Sequence, residues 1–375
     1  MIAATTPLAA LIASTASVQD RVRRPDITPR SNLPGLQSGE TWPTASWTTS
    51  PPEDQGFPDD LSDQIDEMVE LTTPLLTSLI VVRHGALVID NHYNGFEADE
   101  PFHIWSITKS VTAMATGIAF REGLLTDLDQ TLGELIPDRI PAEADPRVAN
   151  ITLVHLLTSM SGWEWDGRIN FSRHDETDDL ELMLARPLAY APGEGFEYDS
   201  SNSNLLSYVI EAKSGETMAE FLQPRMFDIL GIAKPEWTAM NQGETRGAGG
   251  LRLIPSDVAK LGLLMLRNGT WDGEEIITPD WITESTSPQA TGTSSSSGVN
   301  IGGGGAYGYQ WWIRETLEYP AYYGNGYGGQ TLYMVPELDL IVVTGVASTD
   351  EATPDQQQPV IPIIEELIIP AAEPM

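Results

Sequence analysis

The chain has 375 residues, 41% of them hydrophobic, which is enough to build the core of one large domain or of two interleaved ones. Its 54 acidic residues against 20 basic ones give a formal net charge of −34, and such a surface repels nucleic acid and anionic membranes. Because cysteine is absent, disulfides, thiol nucleophiles and cysteine-ligated metal sites are excluded.

The first stretch, residues 1–54, is predicted to be an extension outside the core. A mild apolar run over 7–16 is followed by a basic patch at 21–24 and by a Pro/Ser/Thr-rich segment. Two interpretations stay open, the remains of a signal peptide or a disordered tail. On balance an exported location, periplasmic or extracellular, is slightly favoured over a cytoplasmic one. No apolar run is long enough for a transmembrane segment.

The first predicted elements are a helix and a pair of strands. Apolar residues at helical spacing predict a helix over 61–71 that Asp59 or Asp60 opens. The sequence LTSLIVVRHGALVIDNHY predicts strands over 79–82 and 86–89 around a His-Gly turn.

The next element, residues 103–122, carries the strongest candidate site. Ser106 and Lys109 lie in the first turn of a predicted helix, ahead of apolar residues at helical spacing. Residues three apart share a helix face, so the hydroxyl and the amine can touch, as a nucleophile and its base must. The helix N-terminus stabilises an oxyanion and disfavours an ammonium ion. Burial acts in the same direction, so Lys109 is expected to be partly neutral near pH 7 and able to accept a proton.

A structural interpretation of the same pair stays open, because serine caps helices, lysine favours them, and Ser-x-x-Lys arises by chance in long chains. The lysine content favours catalysis, because the chain has only Lys109, Lys213, Lys234 and Lys260 and otherwise uses arginine. Arginine is permanently charged and cannot act as a base, so a lysine at position 109 indicates a chemical role.

Helical patterns fill the middle of the chain, and strands return after about residue 290. A helix is predicted over 151–162 with Thr152 as its cap, strands over 308–313, 331–335 and 340–346, and a last helix over 360–367. Strands at both ends predict an α/β fold with an inserted helical domain and a cleft between the two. We place the sheet subdomain at about 55–100 and 300–370, and the helical one at about 101–299.

The segment PGEGFEYDSSNSNLLSYVIE, residues 192–211, is a second candidate. Tyr198 and Ser200 are predicted in a turn that leads into a helix beginning near Asn204. A lysine ammonium stabilises a neighbouring phenolate, so Tyr198 is a candidate for relaying a proton to a leaving group. By itself this motif is weak, and a packed surface aromatic is the alternative.

A third candidate is YYGNGYGGQTLYMVPELDLIVVTG, residues 322–345. Gly328 and Gly329 precede a predicted strand and allow a ligand to approach the strand edge closely. A plain glycine-rich hairpin explains the same residues.

Metal and cofactor chemistry is not predicted. The histidines form no H-E-x-x-H motif and no close pair with acidic neighbours, so we expect no metal site and no cofactor. There is also no G-x-S-x-G elbow. The histidines are His84, His92, His103, His155 and His174.

Taken in order, S-I-T-K (106–109), Y-D-S (198–200) and Y-G-G (327–329) resemble the three motifs of serine β-lactamases and penicillin-binding proteins. Flanking segments such as LLTSMSGWEW and PGEGFEY resemble the class C-like branch, that of family VIII esterases and 6-aminohexanoate-dimer hydrolase. The resemblance covers residues 55–370, which we therefore expect to form the catalytic domain. It implies the β-lactamase/transpeptidase-like fold, an antiparallel sheet flanked by helices with an inserted, mostly helical domain.

Carried over residue by residue, the resemblance implies Ser106 as the acyl-forming nucleophile. Lys109 and Tyr198 would share the duties of general base and acid, and which of them takes the first proton stays open. Ser200 stands where class C β-lactamases carry the Asn of Y-x-N.

The resemblance also implies an oxyanion hole formed by the backbone N–H groups of Ser106 and Gln330, which follows the pair Gly328 and Gly329. Two such donors are worth about 2–4 kcal/mol of barrier each. The third motif departs from the family pattern, because Tyr327 replaces the lysine that helps to hold a substrate carboxylate.

The loss of that cation favours carboxylic esters or small amides as substrates over antibiotics. The candidates for an aromatic acyl pocket are Trp105, Trp163, Trp165 and Tyr327, and each tryptophan fits a plain core role equally well. A β-lactamase or D,D-peptidase is the alternative activity, and a non-catalytic binding protein on the same fold is the alternative of another class. The sequence does not predict the oligomeric state.

Acidic, lysine-poor chains suit salty surroundings, because counterions screen their self-repulsion. We therefore predict a higher melting temperature in molar chloride salt than in dilute buffer, measured by thermal unfolding. Equal melting temperatures in the two conditions would contradict this interpretation of the charge.

Overall fold

The computed structural model describes residues 41–166, 179–291, 305–346 and 358–372. Its strands are β1 (Leu76–Arg83), β2 (Ala86–His92), β3 (Phe102–His103), β4 (Glu236–Trp237), β5 (Leu251–Leu253), β6 (Thr270–Trp271), β7 (Glu274–Glu275), β8 (Gly305–Tyr307), β9 (Trp312–Arg314), β10 (Ala321–Gly326), β11 (Gln330–Val335) and β12 (Leu340–Val346).

Its helices are α1 (Leu61–Thr72), α2 (Ile107–Arg121), α3 (Leu132–Leu135), α4 (Leu153–Leu157), α5 (Asp179–Leu184), α6 (Ser200–Ser214), α7 (Met218–Leu222), α8 (Pro255–Leu266) and α9 (Pro279–Ser285). The turns Val360–Pro362, Ile363–Ile368 and Ile369–Ala371 follow one another without a break as helix α10. Within these described ranges, no helix combines the length and the apolar character needed to span a bilayer.

A seven-stranded antiparallel sheet is the centre of the fold, in the order β2-β1-β12-β11-β10-β9-β8. Strand β1 therefore pairs with the last strand of the chain, β12, and β2 is the edge strand next to β1. Helices α2 to α9 are inserted between the two halves of the sheet. This arrangement confirms the predicted mixed α/β fold with an antiparallel sheet, and the strands predicted over 331–335 and 340–346 are β11 and β12.

Both faces of the sheet are covered, because its central strands are apolar on both sides. Every residue of β1 is buried. Leu79 and Val81 pack in the cluster that contains α1 and α10, whereas Ile80 and Val82 pack in the cluster that contains the inserted helices. Successive side chains of a strand point to opposite faces, so this alternation makes three layers, with the sheet in the middle.

Two predicted elements are shorter in the structure than in the sequence pattern. The helix predicted over 151–162 does begin after its cap Thr152 but ends at Leu157, because Ser159 adopts a left-handed backbone (φ 56°) and its carbonyl accepts the N–H of Glu197. Of the strand predicted over 308–313, only residues 312–313 belong to β9. Residues 308–311 form the turn between β8 and β9, where Gln310 is also left-handed (φ 62°).

Helix α6 begins at Ser200, earlier than the predicted start near Asn204. Asp199 is its N-cap and accepts the backbone N–H of Ser201 at 2.8 Å. Aspartate is among the best N-cap residues, so the start of α6 is explained by a local signal that the apolar pattern obscured.

Part of the predicted N-terminal extension is packed on the folded body. The Trp42 ring lies 4.8 Å from that of Trp271, and Trp47 Nε1 donates to the carbonyl of Ser256 at 3.2 Å. The packed part thus begins before the boundary at residue 54, whereas residues 1–40 lie outside the described part of the chain.

Gln310 is buried and joins three inserted helices through its side chain and its backbone carbonyl. Its amide donates to the carbonyls of Leu156 and Leu157 at 2.9 Å each, and its Oε1 accepts from Ser203 at 2.7 Å. Its backbone carbonyl accepts from Ser110 at 2.7 Å. One residue in the turn between β8 and β9 therefore binds α2, α4 and α6, the helices that surround the candidate site.

We expect Gln310→Leu to lower the free energy of unfolding by about 2–4 kcal/mol, because a buried hydroxyl and two buried carbonyls lose their partner. Urea denaturation measures this change. The matched control is Gln64→Leu. Gln64 lies on helix α1, and its side-chain amide donates an exposed hydrogen bond to Asp60. Loss of that bond should lower the free energy of unfolding by less than about 0.5 kcal/mol. Equal losses in the two variants would contradict the role given to Gln310.

Candidate active site

Ser106 is the N-cap of helix α2, at the point where the chain enters the helix from a strained turn. Trp105, just before it, has a left-handed backbone (φ 47°), which is unfavourable for a bulky residue. The turn is held because the Trp105 N–H donates to His103 Nδ1 at 3.0 Å and that of Ile104 donates to the carbonyl of Leu251 at 3.1 Å. The Ser106 side chain makes no capping bond to the helix and is partly exposed, so its hydroxyl is accessible to other side chains and to a substrate.

Lys109 lies one helical turn further, buried, with its amine on the serine. Its Nζ is 2.9 Å from Ser106 Oγ and 3.0 Å from the carbonyl oxygen of Ala248. The side chain is only 2% exposed, which is unusual for lysine. The predicted contact between the hydroxyl and the amine is therefore present in the structure.

The surroundings of Lys109 disfavour its charged form. Burial lowers the pKa of its amine to about 7, the positive charge of Arg246 adds to this effect, and Asp199 partly offsets it. Among the described residues no carboxylate hydrogen-bonds this amine, and a buried ammonium ion without such a partner is costly, so a large share of the amine is neutral at pH near 7. A neutral amine at hydrogen-bond distance from a hydroxyl can act as its base.

Tyr198 completes the cluster from the turn before α6. Its phenol hydrogen-bonds the Ser106 side chain, and Lys109 Nζ lies 5.2 Å from the centre of its ring. Burial raises the pKa of Tyr198 to about 12, although the bond to Ser106 acts in the opposite direction. The phenol consequently keeps its proton at neutral pH and serves as a donor.

Aromatic residues that the sequence analysis did not single out surround Tyr198. Its ring lies 5.3 Å from Trp312 and 6.1 Å, edge-on, from Tyr307. Tyr307 is fully buried and its phenol hydrogen-bonds Ser159, whereas Trp312 is half-buried. The motif AYGYQWWI, residues 306–313, contains both residues and is the aromatic-rich signal that could have pointed to them.

A buried ion pair fixes the chain immediately after Tyr198. Arg186 binds the Asp199 carboxylate through two bonds of 2.8 and 3.2 Å and also donates to Ser201 Oγ at 2.9 Å. Burial acts to raise the pKa of Asp199, but the Arg186 guanidinium outweighs it and lowers that pKa. Ser200 is thereby placed as the first residue of α6, partly exposed and directly after the ion pair.

The third motif is the turn of a hairpin that packs against the start of α2. Tyr327, Gly328 and Gly329 join β10 to β11, and Gln330 pairs with Gly326 across the hairpin. Gly326 lies very close to the turn before Ser106. A Cβ at position 326 would be only 2.6 Å from the Ile104 carbonyl oxygen. The motif is thus a glycine-rich hairpin, which is the alternative that the sequence left open, and it also lies beside Ser106.

The four predicted pocket residues have different surroundings. Trp105 and Tyr327 pack together, half-buried, with ring centres 5.5 Å apart, next to Ser106. Trp163 is 1% exposed and lies under the Arg186 guanidinium at 5.1 Å, so it is packed as core, the second role left open for it. Trp165 lines a separate surface cavity of about 320 Å³ with Glu164, Asp166, Arg186 and Pro187.

Comparisons with known proteins point to the same family as the motifs do. The family profile described as Beta-lactamase matches residues 71–360. The 6-aminohexanoate-dimer hydrolase of Paenarthrobacter ureafaciens is 23% identical over 325 residues, which cover 81% of this chain and 82% of that protein. The lovastatin esterase of Penicillium rubens is 29% identical over 196 residues, 46% of this chain and 48% of the esterase.

A solved structure shares the fold. The penicillin-binding protein from Bacillus halodurans superposes with a TM-score of 0.61 at 20% identity, over 81% of this chain and 99% of that one. The fold predicted from the motifs, β-lactamase/transpeptidase-like, is confirmed by this likeness together with the match of the family profile.

The neutral state of Lys109 can be measured directly, because the chain has only four lysines, Lys109, Lys213, Lys234 and Lys260. In protein labelled with ¹³C-lysine, the side-chain signal that disappears in Lys109→Gln is expected to titrate near pH 7, with the free amine gaining as the pH rises. The other three signals are internal references. A Lys109 signal that remains that of an ammonium ion above about pH 9 would contradict the effect of burial.

Proposed function

Because this chain belongs to the beta-lactamase family, we propose that it is a serine hydrolase that cleaves carboxylic esters or small amides through an acyl-enzyme. The observation that carries the proposal is the buried Lys109 amine, 2.9 Å from Ser106 Oγ and with its pKa lowered to about 7. A nucleophile with an adjacent base of matched pKa is the usual requirement for acyl transfer.

In the proposed acylation step, Lys109 takes the proton of Ser106 while Ser106 Oγ attacks the substrate carbonyl carbon. Tyr198 then gives its phenolic proton to the departing oxygen or nitrogen as the bond to the carbonyl carbon breaks. The ammonium of Lys109 returns a proton to the Tyr198 phenolate, so one proton has moved in total from the serine to the leaving group. The raised pKa of Tyr198, about 12, supports its role as donor and that of Lys109 as the first base.

Hydrolysis of the acyl-enzyme repeats the same transfers with water in place of serine. A water molecule gives its proton to the same base and attacks the acyl carbon, and Ser106 leaves with a proton from the same acid. The two N–H donors expected for the oxyanion are those of Ser106 and Gln330. The packing of Gly326 against Ile104 supports this pair, because it keeps the start of β11 beside the serine.

The substrate class is inferred from what surrounds the serine. Tyr327 stands in place of the cation that β-lactamases use for a substrate carboxylate, and its ring packs on Trp105. Trp312, beside Tyr198, adds a second half-buried aromatic surface. Such walls favour apolar acyl and alcohol groups over carboxylates. The names of the two curated relatives, one a dimer hydrolase and one an esterase, are consistent with esters and small amides.

A penicillin-binding or β-lactamase activity is the second candidate. The likeness to the penicillin-binding protein from Bacillus halodurans, at 20% identity, speaks for a shared fold only. The tyrosine at position 327 weighs against this candidate, because a phenol supplies no positive charge for a carboxylate.

The first experiment is release of p-nitrophenol from acetate and butyrate esters in high salt, by the wild type and by Ser106→Ala. We expect the wild type to turn over both esters and the variant to be inactive, because Lys109 and Tyr198 then have no hydroxyl to activate.

Equal melting temperatures of the two proteins are the control for folding. Ester hydrolysis that survives in Ser106→Ala would overturn the assignment of the nucleophile. An inactive wild type that is labelled by a fluorescent penicillin at Ser106 would favour the second candidate, and a wild type without either reaction would favour a non-catalytic binding protein.

A further inference from the structure

A short backbone segment, residues 245–248, lies between helices α2 and α6 and binds the catalytic lysine. The carbonyl of Ala248 accepts from Lys109 Nζ at 3.0 Å. It is the only hydrogen-bond partner that the described residues show for this amine besides Ser106. The position of this carbonyl therefore decides which side of the amine faces the serine.

That side matters because a neutral amine has one lone pair. When one N–H of Lys109 donates to the Ala248 carbonyl, rotation of the amine is restricted and its lone pair can be held toward the Ser106 hydroxyl. A base that a third group orients is the common logic of nucleophile activation. In this protein the orienting group is a main-chain carbonyl rather than an acidic side chain.

The peptide unit before that carbonyl is held at both ends by side chains. Thr112 on α2 donates to the Gly247 carbonyl at 2.7 Å, and the N–H of Ala248 donates to Oδ1 of Asn204 on α6 at 2.9 Å. Both side chains are buried. The segment is also pressed against α6, because a Cβ at position 247 would collide with the carbonyl of Ser203.

The chain after Ala248 offers less restraint, because two glycines follow it. Gly250 is left-handed (φ 86°), and the next backbone bond of the segment is that between Gly250 and Thr238. The direction of the Ala248 carbonyl thus depends on the preceding peptide unit, between Gly247 and Ala248, which Thr112 and Asn204 hold. The side-chain amide of Asn204 is buried, which costs free energy of hydration, and its hydrogen bond with the Ala248 N–H offsets that cost.

We propose that Asn204 is a positioning residue for catalysis, which holds the Ala248 N–H so that the Ala248 carbonyl orients the Lys109 amine toward Ser106. This inference rests on the proposed function, since it assigns Asn204 to the proton transfer of that hydrolase. In the described part of the chain, no hydrogen bond joins Asn204 to Ser106, so Asn204 would act through Ala248 and Lys109.

A matched control lies on the same helix. Ser207, one turn after Asn204, donates to the carbonyl of Thr245 at 2.7 Å. It so holds the same segment, but three residues before the carbonyl that binds Lys109. If α6 merely stabilises the segment, loss of either side chain should have a similar effect. If Asn204 positions the base, only its loss should slow catalysis.

The test compares kcat and KM for p-nitrophenyl esters in Asn204→Leu, Asn204→Asp and Ser207→Ala. We expect Asn204→Leu to lower kcat about 10- to 100-fold with little change in KM, which is the effect expected when a reacting group is displaced by less than an ångström. Ser207→Ala should keep kcat within about twofold of the wild type, although its melting temperature falls.

Asn204→Asp keeps an oxygen that accepts the Ala248 N–H, so it should recover most of kcat at high pH. Its added negative charge stabilises the ammonium form of Lys109, so the acidic limb of the kcat profile and the NMR titration of Lys109 should both move to higher pH. The charged and titratable groups already around the amine, Tyr198, Arg246 and Asp199, are unchanged in all three variants.

Wild-type kcat in Asn204→Leu, or an equal loss of kcat in Ser207→Ala, would overturn the proposal. If Asn204→Leu fails to fold, Asn204→Asp is the deciding variant. A kcat that recovers at high pH, with the acidic limb of its pH profile moved to higher pH, supports the proposal. A kcat that is reduced equally at every pH overturns it. Failure of the proposed function is distinguished by the wild type, which would then show no ester hydrolysis that depends on Ser106.

Discussion

The removal of one amine from water is the constraint on which the rest of the site depends. Lys109 is 2% exposed and lies against Ser106, the Ala248 carbonyl and the Tyr198 ring. A buried lysine ordinarily destabilises a fold unless a carboxylate pairs with it, because its charge loses hydration. Here the carboxylate of Asp199, which acts on the amine, is paired with Arg186 through two hydrogen bonds. Burial and the positive charge of Arg246 therefore favour the uncharged, basic form of the amine.

The fold provides this environment by surrounding helix α2 completely. Thirteen consecutive residues of α2, from Ile107 to Ala119, are buried. The β10–β11 hairpin packs on its first turn, α6 packs along its side, and Gln310 ties α2, α4 and α6 together. Such a helix has little freedom to shift, so the strained backbone of Trp105 can be maintained ahead of the serine. Preorganisation of this kind allows the reacting groups to be held in place before substrate arrives.

Polar residues on α6 have separate tasks that a hydrophobic helix could not perform. Asp199 caps it and binds Arg186, Ser203 binds Gln310, Asn204 binds the Ala248 N–H, and Ser207 binds the Thr245 carbonyl. Each of these buried groups has a defined partner, which is the condition under which buried polar groups specify one arrangement instead of merely destabilising it. The helix that follows Tyr198 thus connects this proposed acid to the segment that binds Lys109, the proposed base.

Much of the fold could be predicted from the sequence, because its signals are local. The helix at 61–71, the β1–β2 hairpin, β12 and the cap at Thr152 follow from periodicity and capping residues a few positions apart. The pair of Ser106 and Lys109 is local in the same sense, since one turn of helix brings the two side chains together. The Beta-lactamase match agrees with the order of the three motifs, which is also a property of the sequence alone.

The rest was decided by contacts between residues far apart in the chain. Ala248 is 139 residues from Lys109, and Tyr307 and Trp312 lie more than 100 positions after Tyr198. Trp105 and Trp163 looked alike as candidate pocket residues, yet one lies beside the serine and the other is buried under Arg186. Local periodicity constrains neither the partner nor the exposure of such residues. The sequence by itself therefore determined the candidate reacting groups. The tertiary structure decided what surrounds and orients them, because only packing brings distant segments within hydrogen-bond reach.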